Sequence, residues 1–460
     1  MLARRAATEV VRTLRSQGHQ AYFVGGCVRD LLLGRDPADF DVSTDATPDQ
    51  VMRIFPQTYA VGAQFGVVLV PFRAVGVDGG AAEGEELTAE HPKVIEVATF
   101  RSDGAYSDGR HPDAVRYSAD PREDVQRRDF TINGLMLDPL DGQHVLDYVG
   151  GQQDLQRHLV RTIGDPERRF REDKLRMMRA VRFAARFEYK IDAEAFAAIR
   201  RLAPEILHVS HERQRDEITK MLTEGHARRA FELLDSSGLL HEVLPEVEKM
   251  KGVEQPPQFH PEGDVWIHTL LLLGMLKPGA SRTLAWGALL HDVGKPPTFR
   301  IAPDRIRFDN HVEVGTRMAE AIGHRFRMSN DDIAQIMALV ANHLRFADVK
   351  NMKESTFKRF IRLPRFDEHL ELHRIDCLGS HGILDLYCYT REKMAQLEPE
   401  QVRPTLLIDG HDLLAAGYEQ GPRFKEILSA VEDAQLEGRV QSKEEAMEFV
   451  RREFPLTTGV

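Results

Sequence analysis

The sequence is poor in several features that would fix its class at once. Three cysteines in 460 residues (Cys27, Cys377 and Cys388) exclude a disulfide scaffold, and their scatter lacks the paired spacing of a zinc ribbon. So few cysteines suit a reducing compartment, and a cytoplasmic location is expected. The longest apolar run, 270–276, falls far short of the ~20 residues that a membrane-spanning helix needs. The first residues carry arginines but no apolar core behind them, so no export signal is expected. Fixed-period repeats and long low-complexity tracts are also missing. Positive charge is not in excess. Lys and Arg number 61 against 72 Asp and Glu, a net charge of −11. That excludes a globally basic nucleic-acid coat and leaves room for a local basic groove. What is present is an ordinary globular mixture, 42% hydrophobic and 29% charged, long enough for three or so domains.

The first 150 residues read as mixed α and β. Ala6, Val10 and Leu14 recur at helical spacing, and strand-like runs follow at 21–24, 40–42, 67–71 and 94–99. The Gly-, Ala- and Glu-rich stretch 76–92 reads as a mobile loop. Beyond about 151, helical periodicity dominates. Proline punctuation near 256 and 404 places cuts near 150, 250 and 400, giving segments 1–150, 151–250, 251–400 and 401–460.

Gly25-Gly26-Cys27-Val28-Arg29-Asp30 lies between a strand and a helix. Glycine there lets backbone approach a phosphate, and Arg29 adds a charge-assisted contact. A plain turn is the competing reading. Next comes Asp39-Phe40-Asp41-Val42. As a strand over 39–42, it places Asp39 and Asp41 on one face, where two carboxylates can bridge hard divalent ions for phosphoryl transfer. An isolated Asp-x-Asp is also a common solvated edge. Glu96, among apolar neighbours in 94–97, is a candidate third carboxylate or a surface glutamate.

Farther on stand Arg127-Arg128-Asp129-Phe130-Thr131-Ile132-Asn133 and a helix expected across 170–184. On that helix Glu172, Asp173, Arg176, Arg179 and Arg186 share one side, with Phe183 and Phe187 oddly among them. A carboxylate and an arginine one turn apart offer acceptors and donors to a base edge, and an adjacent aromatic can stack on it. The alternative is a solvated face of ion pairs. Residues 161–201 hold twelve Lys/Arg against seven Asp/Glu, a basic island in an acidic chain.

These motifs, in this order and extending to Glu212-Arg213, resemble the class II tRNA nucleotidyltransferase (CCA-adding enzyme) and bacterial poly(A) polymerase family of the polymerase-β-like superfamily. The resemblance implies an α+β chain, with a head of small mixed sheet and helices followed by an all-α neck and body. It implies template-independent addition of CTP and ATP to a tRNA 3′ end. By residue, it implies Mg²⁺ at Asp39 and Asp41 and triphosphate contacts at Gly25, Gly26 and Arg29. A nucleotide contact is implied at Arg128, with base pairing by Asp173 and Arg176, helped by Arg179 and Arg182. Glu212-Arg213 would support the neck. Poly(A) polymerase, or a partial enzyme adding only CC or only A, shares the same motifs. A further alternative is an RNA-binding phosphohydrolase with an inactive head.

A last set comprises His268, His291-Asp292, His311, His343 and Asp376. A consecutive His-Asp at a helix end can supply two metal ligands, completed from neighbouring helices. Each histidine alone is more simply a core residue. The ordered set resembles the HD metal-dependent phosphohydrolase domain. His268, His291, Asp292 and Asp376 match its core ligands, and His311 and His343 match places where some members add a second metal. Ni²⁺, Mg²⁺ or Mn²⁺ is implied, and Lys295 is placed to steady a phosphate. Residues 406–450 read as a helical tail, with Leu413, Leu414, Ile427, Leu428 and Val431 as its packing positions.

Overall fold

In a computed structural model, all residues are described except 1, 60–65, 73–93, 105–113, 143, 259, 304 and 457–460. The loop expected at 76–92 lies outside the described residues. The chain forms two compact units, Met1–Pro245 and Glu246–Val460.

Alternating apolar residues build the sheet of the first unit. Its strands are β1 (Ala21–Val24), β2 (Asp41–Thr44), β3 (Val67–Pro71), β4 (Val94–Thr99), β7 (Leu135–Asp138) and β8 (His144–Asp147). A side hairpin, β5 (Arg101–Asp103) and β6 (Val115–Tyr117), stands apart. Among the described residues the sheet order is β3-β4-β2-β1-β7-β8, and only β2 and β4 run parallel. Paired residues share a face. One row across the sheet is therefore Val68, Val97, Val42 and Phe23, all fully buried. Helices α1 (Leu2–Ser16) and α3 (Pro48–Ile54) pack against the sheet, and α1 buries Ala6, Val10 and Leu14. Val10 and Leu14 each contribute about 1.5–3 kcal/mol by leaving water. The neighbouring row, on the opposite face, is Leu69, Glu96, Asp41, Val24 and Met136. Register thus sets two carboxylates side by side on that opposite face, Asp41 half-buried and Glu96 exposed, next to the buried Val24 and Met136.

The strand expected over 39–42 begins instead at Asp41. Its partner β1 ends at Val24, opposite Asp41, because Gly25 turns away at φ 78°. Phe40 has no rung to join. It packs inward against Phe23, ring centroids 5.2 Å apart, while Asp39 stays exposed.

Short helices follow. α2 (Gly26–Leu32) leaves the glycine turn, and α4 (Pro121–Gln126) and α5 (Gly151–Gln156) flank the 3₁₀ turn Thr131–Asn133. The body is α6 (Pro166–Glu172), α7 (Leu175–Arg186), α8 (Ala193–Leu202), α9 (His211–Thr223) and α10 (Ala227–Ser236). The single helix expected across 170–184 is two helices. Asp173 adopts φ −144°, ψ 105°, and its carboxylate accepts the Leu175 N–H at 3.1 Å, so one residue stops α6 and caps α7.

Among the described residues, the second unit is helical apart from the hairpin Phe299–Ile301 and Ile306–Phe308. Helices Val265–Met275, Arg282–Leu290, Asn330–Asn342 and Phe366–Gly379 pack together, with Trp286 among the fully enclosed side chains. The tail buries Leu413, Ile427, Val431 and Val450 in a cluster of its own, while Leu414 stands 47% exposed. Arg359 ties the tail to helix Glu354–Ile361 through Glu432 at 2.7 Å. No helix among the described residues is long and apolar enough to cross a membrane.

Candidate active site and candidate metal centre

In the first unit a cavity of about 460 Å³ is lined by Gly25, Gly26, Arg29, Asp41, Arg128, Asp173, Arg176 and Arg179. A smaller cavity of about 240 Å³ shares Asp41 and Arg128 and adds Glu96. Of the residues expected here, the fold therefore gathers most around Asp41. Burial pushes the Asp41 carboxyl up to about 6, and the charges of Glu96 and Asp39 add to this against Arg128. A carboxylate crowded by like charges is a place where a bound cation lowers the energy. Asp41 and its neighbour Glu96 offer carboxylate oxygens, the donors that a hard divalent ion prefers.

Gly25 is needed for two reasons. Its φ is positive, and a Cβ there would stand 3.3 Å from the Arg128 guanidinium. Arg128 is held over the turn by Asp124 (2.9 Å) and Ser43 (3.3 Å). Arg29 is buried. It donates to Asn133 at 2.6 Å and Asp30 at 2.8 Å, and it lies over the Phe187 ring at 4.6 Å.

The helix break aims Asp173 into the cavity, where Arg213 donates to it at 2.9 Å. Arg213, expected as neck support, is thus a lining residue. Arg176 is fixed by Glu172 (2.9 Å) and by the Arg169 and Arg127 carbonyls. Arg179 donates twice to Asp129, at 2.9 and 2.6 Å. Burial would raise the Asp129 carboxyl, but Arg179 and Asn133 outweigh it and hold it down at about 2. Phe183 explains the aromatics on a charged face. Its ring is buried and lines the cavity, and the Arg29, Arg179 and Arg182 guanidinium groups lie 4.4–5.4 Å from its centre.

Arg182 departs from expectation. It is not among the lining residues; it is 6% exposed and bound to Glu217 at 2.7 Å and Glu224 at 3.2 Å. Several arginines of the basic island are likewise paired internally, Arg169 with Glu172 and Arg201 with Glu167 among them. The ion-pair reading holds for them. Sequence reasoning missed Asp129 and Asn133 as the groups that orient Arg179 and Arg29. The motif 127–133 carried both, without showing what they face.

In the second unit all six expected ligands converge. His268, His291 and Asp376 form one trio, and Asp292, His311 and His343 form another, each with ligand atoms within 4.8 Å of one another. His268 Nε2 stands 3.0 Å from Asp376 and 3.3 Å from His291 Nε2. Asp292 links the trios. One oxygen is 3.1 Å from His291, and the other is 3.7 and 3.9 Å from His343 and His311.

The donor set fits a cation on three counts. His291, His311 and His343 each place Nδ1 2.7–2.9 Å from the carbonyl three residues back. A carbonyl only accepts, so each Nδ1 carries the proton and each Nε2 offers a lone pair. Asp292 Oδ1, His311 Nε2 and His343 Nε2 are buried with no hydrogen-bond partner. Finally, burial would lower the His268 imidazole, but Asp376 and Glu262 outweigh it and push it up to about 9, so positive charge is favoured there. Lys295, expected to steady a phosphate, places its amine 2.7 Å from Asp292 and 2.6 Å from Gln255. Gly294 lets the pieces meet, because a Cβ there would lie 2.1 Å from the His311 carbonyl oxygen.

Comparison with known proteins agrees with this geometry. Residues 21–161 match the poly A polymerase head domain, 188–251 a probable RNA and SrmB-binding site of polymerase A, and 264–376 the HD domain. The chain is 32% identical to a CCA-adding enzyme of Lactobacillus johnsonii over 97% of this chain and 96% of that one. It is 42% identical to one from Geobacillus thermodenitrificans over 51% of this chain. There it spans about half, 53%, of the curated relative's length. Among solved structures it resembles a Bacillus stearothermophilus CCA-adding enzyme in complex with CTP, with TM-score 0.70 and 27% identity, covering 97% and 98% of the two chains.

Proposed function

The chain belongs to the CCA-adding enzyme family, and from that premise we propose that it is a tRNA nucleotidyltransferase that builds or repairs the 3′-terminal CCA from CTP and ATP in the cytoplasm. The observation that carries this reading is a single cavity. It joins the Gly25-Gly26 turn and Asp41 to the Asp173, Arg176 and Arg179 group. The first unit would supply the head (1–150) and the neck and body (151–250), and the second the HD (251–400) and tail (401–460) segments.

Asp39 and Asp41, with Glu96 opposite Asp41 in the sheet, would hold Mg²⁺, whose preference is for oxygen ligands. Bound there, the ions would ready the RNA 3′-hydroxyl and screen charge at the α-phosphate. The glycine turn gives the triphosphate room, and Arg29 and Arg128 face it from fixed positions. Asp173 accepts from a base edge and Arg176 donates to it, so protein side chains take the part of a template. Arg179 holds that wall through Asp129. Arg182 acts from behind it, against the Phe183 ring.

The test uses tRNA transcripts lacking all of CCA, lacking only the final A, and complete. Each nucleotide is supplied alone and then together. Two C residues followed by one A, and no growth of complete tRNA, is the expected result. Long A tails on unrelated RNA would make it a poly(A) polymerase. Addition of C alone or A alone would make it a partial enzyme, and no addition would leave the inactive-head reading.

The second centre supports an additional activity, hydrolysis of phosphomonoesters or cyclic phosphodiesters. Its mixed imidazole and carboxylate donors suit Ni²⁺ or Mn²⁺ better than Mg²⁺. His291→Ala should abolish cleavage of a 2′,3′-cyclic phosphate and leave nucleotide addition intact.

A further inference from the structure

Four histidines face one another in the second unit, and one is oriented unlike the rest. His291, His311 and His343 each use a backbone carbonyl three residues back. His268 has no such partner. The Val265 carbonyl accepts the Thr269 hydroxyl at 2.8 Å, and the Asp264 carbonyl accepts the His268 N–H at 3.0 Å. Glu262 stands beside the ring instead, its Oε1 2.8 Å from His268 Nδ1 as a charge contact, while that buried Nδ1 has no hydrogen-bond partner among the described residues. The same oxygen lies 2.8 Å from His260 Nδ1, and the His260 ring meets His268 edge-on with centroids 4.9 Å apart. The Glu262 side chain is only 8% exposed, and its second oxygen is buried with no hydrogen-bond partner. The segment that carries it is pinned. Asp264 caps helix Val265–Met275 by accepting the Ile267 N–H at 2.8 Å and also accepts the Gly252 N–H at 2.6 Å.

We propose that Glu262, steadied by His260, is a positioning residue whose carboxylate charge beside His268 Nδ1 favours the ring proton on that side and leaves Nε2, which faces His291 and Asp376, as a cation ligand. A buried carboxylate next to a ligand imidazole also raises its basicity toward a metal. The proposal rests on the divalent-cation reading of this centre. It assigns Glu262 to one trio only, because His311 and His343 are oriented without it.

The experiment is titration of the full-length, chelator-stripped protein with Mn²⁺ by calorimetry, with nucleotide addition to tRNA as a control for folding. The wild type should bind in two steps at the His/Asp centre, one for each trio, besides any uptake at the head carboxylates, which the Glu262 and His260 variants leave unchanged. Glu262→Gln keeps size and removes the anion. It should weaken one step on the order of 10–100-fold and leave the other unchanged. His260→Ala should weaken the same step by a smaller factor, and His260→Asn, which keeps a donor for Glu262, should restore it. Equal affinities in Glu262→Gln and wild type would overturn the inference while leaving the cation reading intact. So would loss of both steps with nucleotide addition preserved. A wild type that binds no Mn²⁺ would overturn both readings together.

Discussion

The two acidic centres of this protein are built in opposite ways. In the first unit, carboxylates are brought side by side by sheet register on a face bordered by cavities, and burial, with charge of the same sign from Glu96, pushes Asp41 up to about 6. Around them arginines are anchored by other protein groups, as Arg179 is by Asp129 and Arg176 by Glu172. In the second unit the ligands come from several helices, lie buried or half-buried, and three of the four rings have their protons assigned by carbonyls. The first arrangement suits a large anionic substrate that arrives with its own cations and leaves as product. The second suits a resident ion. Donor chemistry alone would not separate them, but burial and the groups behind each ligand do.

That contrast can be broken most sharply at Asp41. Asp41→Ala should lower nucleotide addition at least ~100-fold, measured by CTP incorporation into truncated tRNA. Mn²⁺ binding at the His/Asp centre should be unchanged; a parallel loss there would show that the centres are not separate. The next effect is on stability. Arg182→Ala removes the 2.7 Å partner of the buried Glu217, leaving Lys220 at 3.9 Å and the charge of Arg179, and should cost about 3 kcal/mol in denaturant unfolding. A drop in CTP affinity without loss of stability would return Arg182 to the substrate.

The smallest effect is pH-dependent. Asp129 is held at about 2 in the fold, below its unfolded value near 3.9. Its contribution, about 2 kcal/mol, is complete above roughly pH 4 and fades as pH falls toward 2. Asp129→Asn should therefore differ from wild type at neutral pH, with the two curves converging in acid.

Legibility in the sequence followed the range of the interactions. The strands at 21–24, 67–71 and 94–99 were readable because alternation of buried residues is a local signal. The helix break at Asp173 was not. Helical spacing continues on both sides of it, and only a side-chain cap marks the interruption. The six ligands of the second unit were readable as a set, but not Glu262 or His260, whose part depends on how a loop folds back on His268. Arg182 and Arg179 sit one turn apart with the same chemistry. Which one meets the cavity was settled by Glu217 and Asp129, both distant in the chain.

Gly294 has a consequence for reading related chains. The missing methyl leaves just enough clearance for the turn after Asp292 to nest against the carbonyl of His311. An alanine at 294 would act as a wedge, keeping every ligand letter in place while prising one half of the pair out of reach. A roll-call of histidines and aspartates in a homologue thus says little about a working pair of ions until the residue two places after the His-Asp step has been checked for bulk.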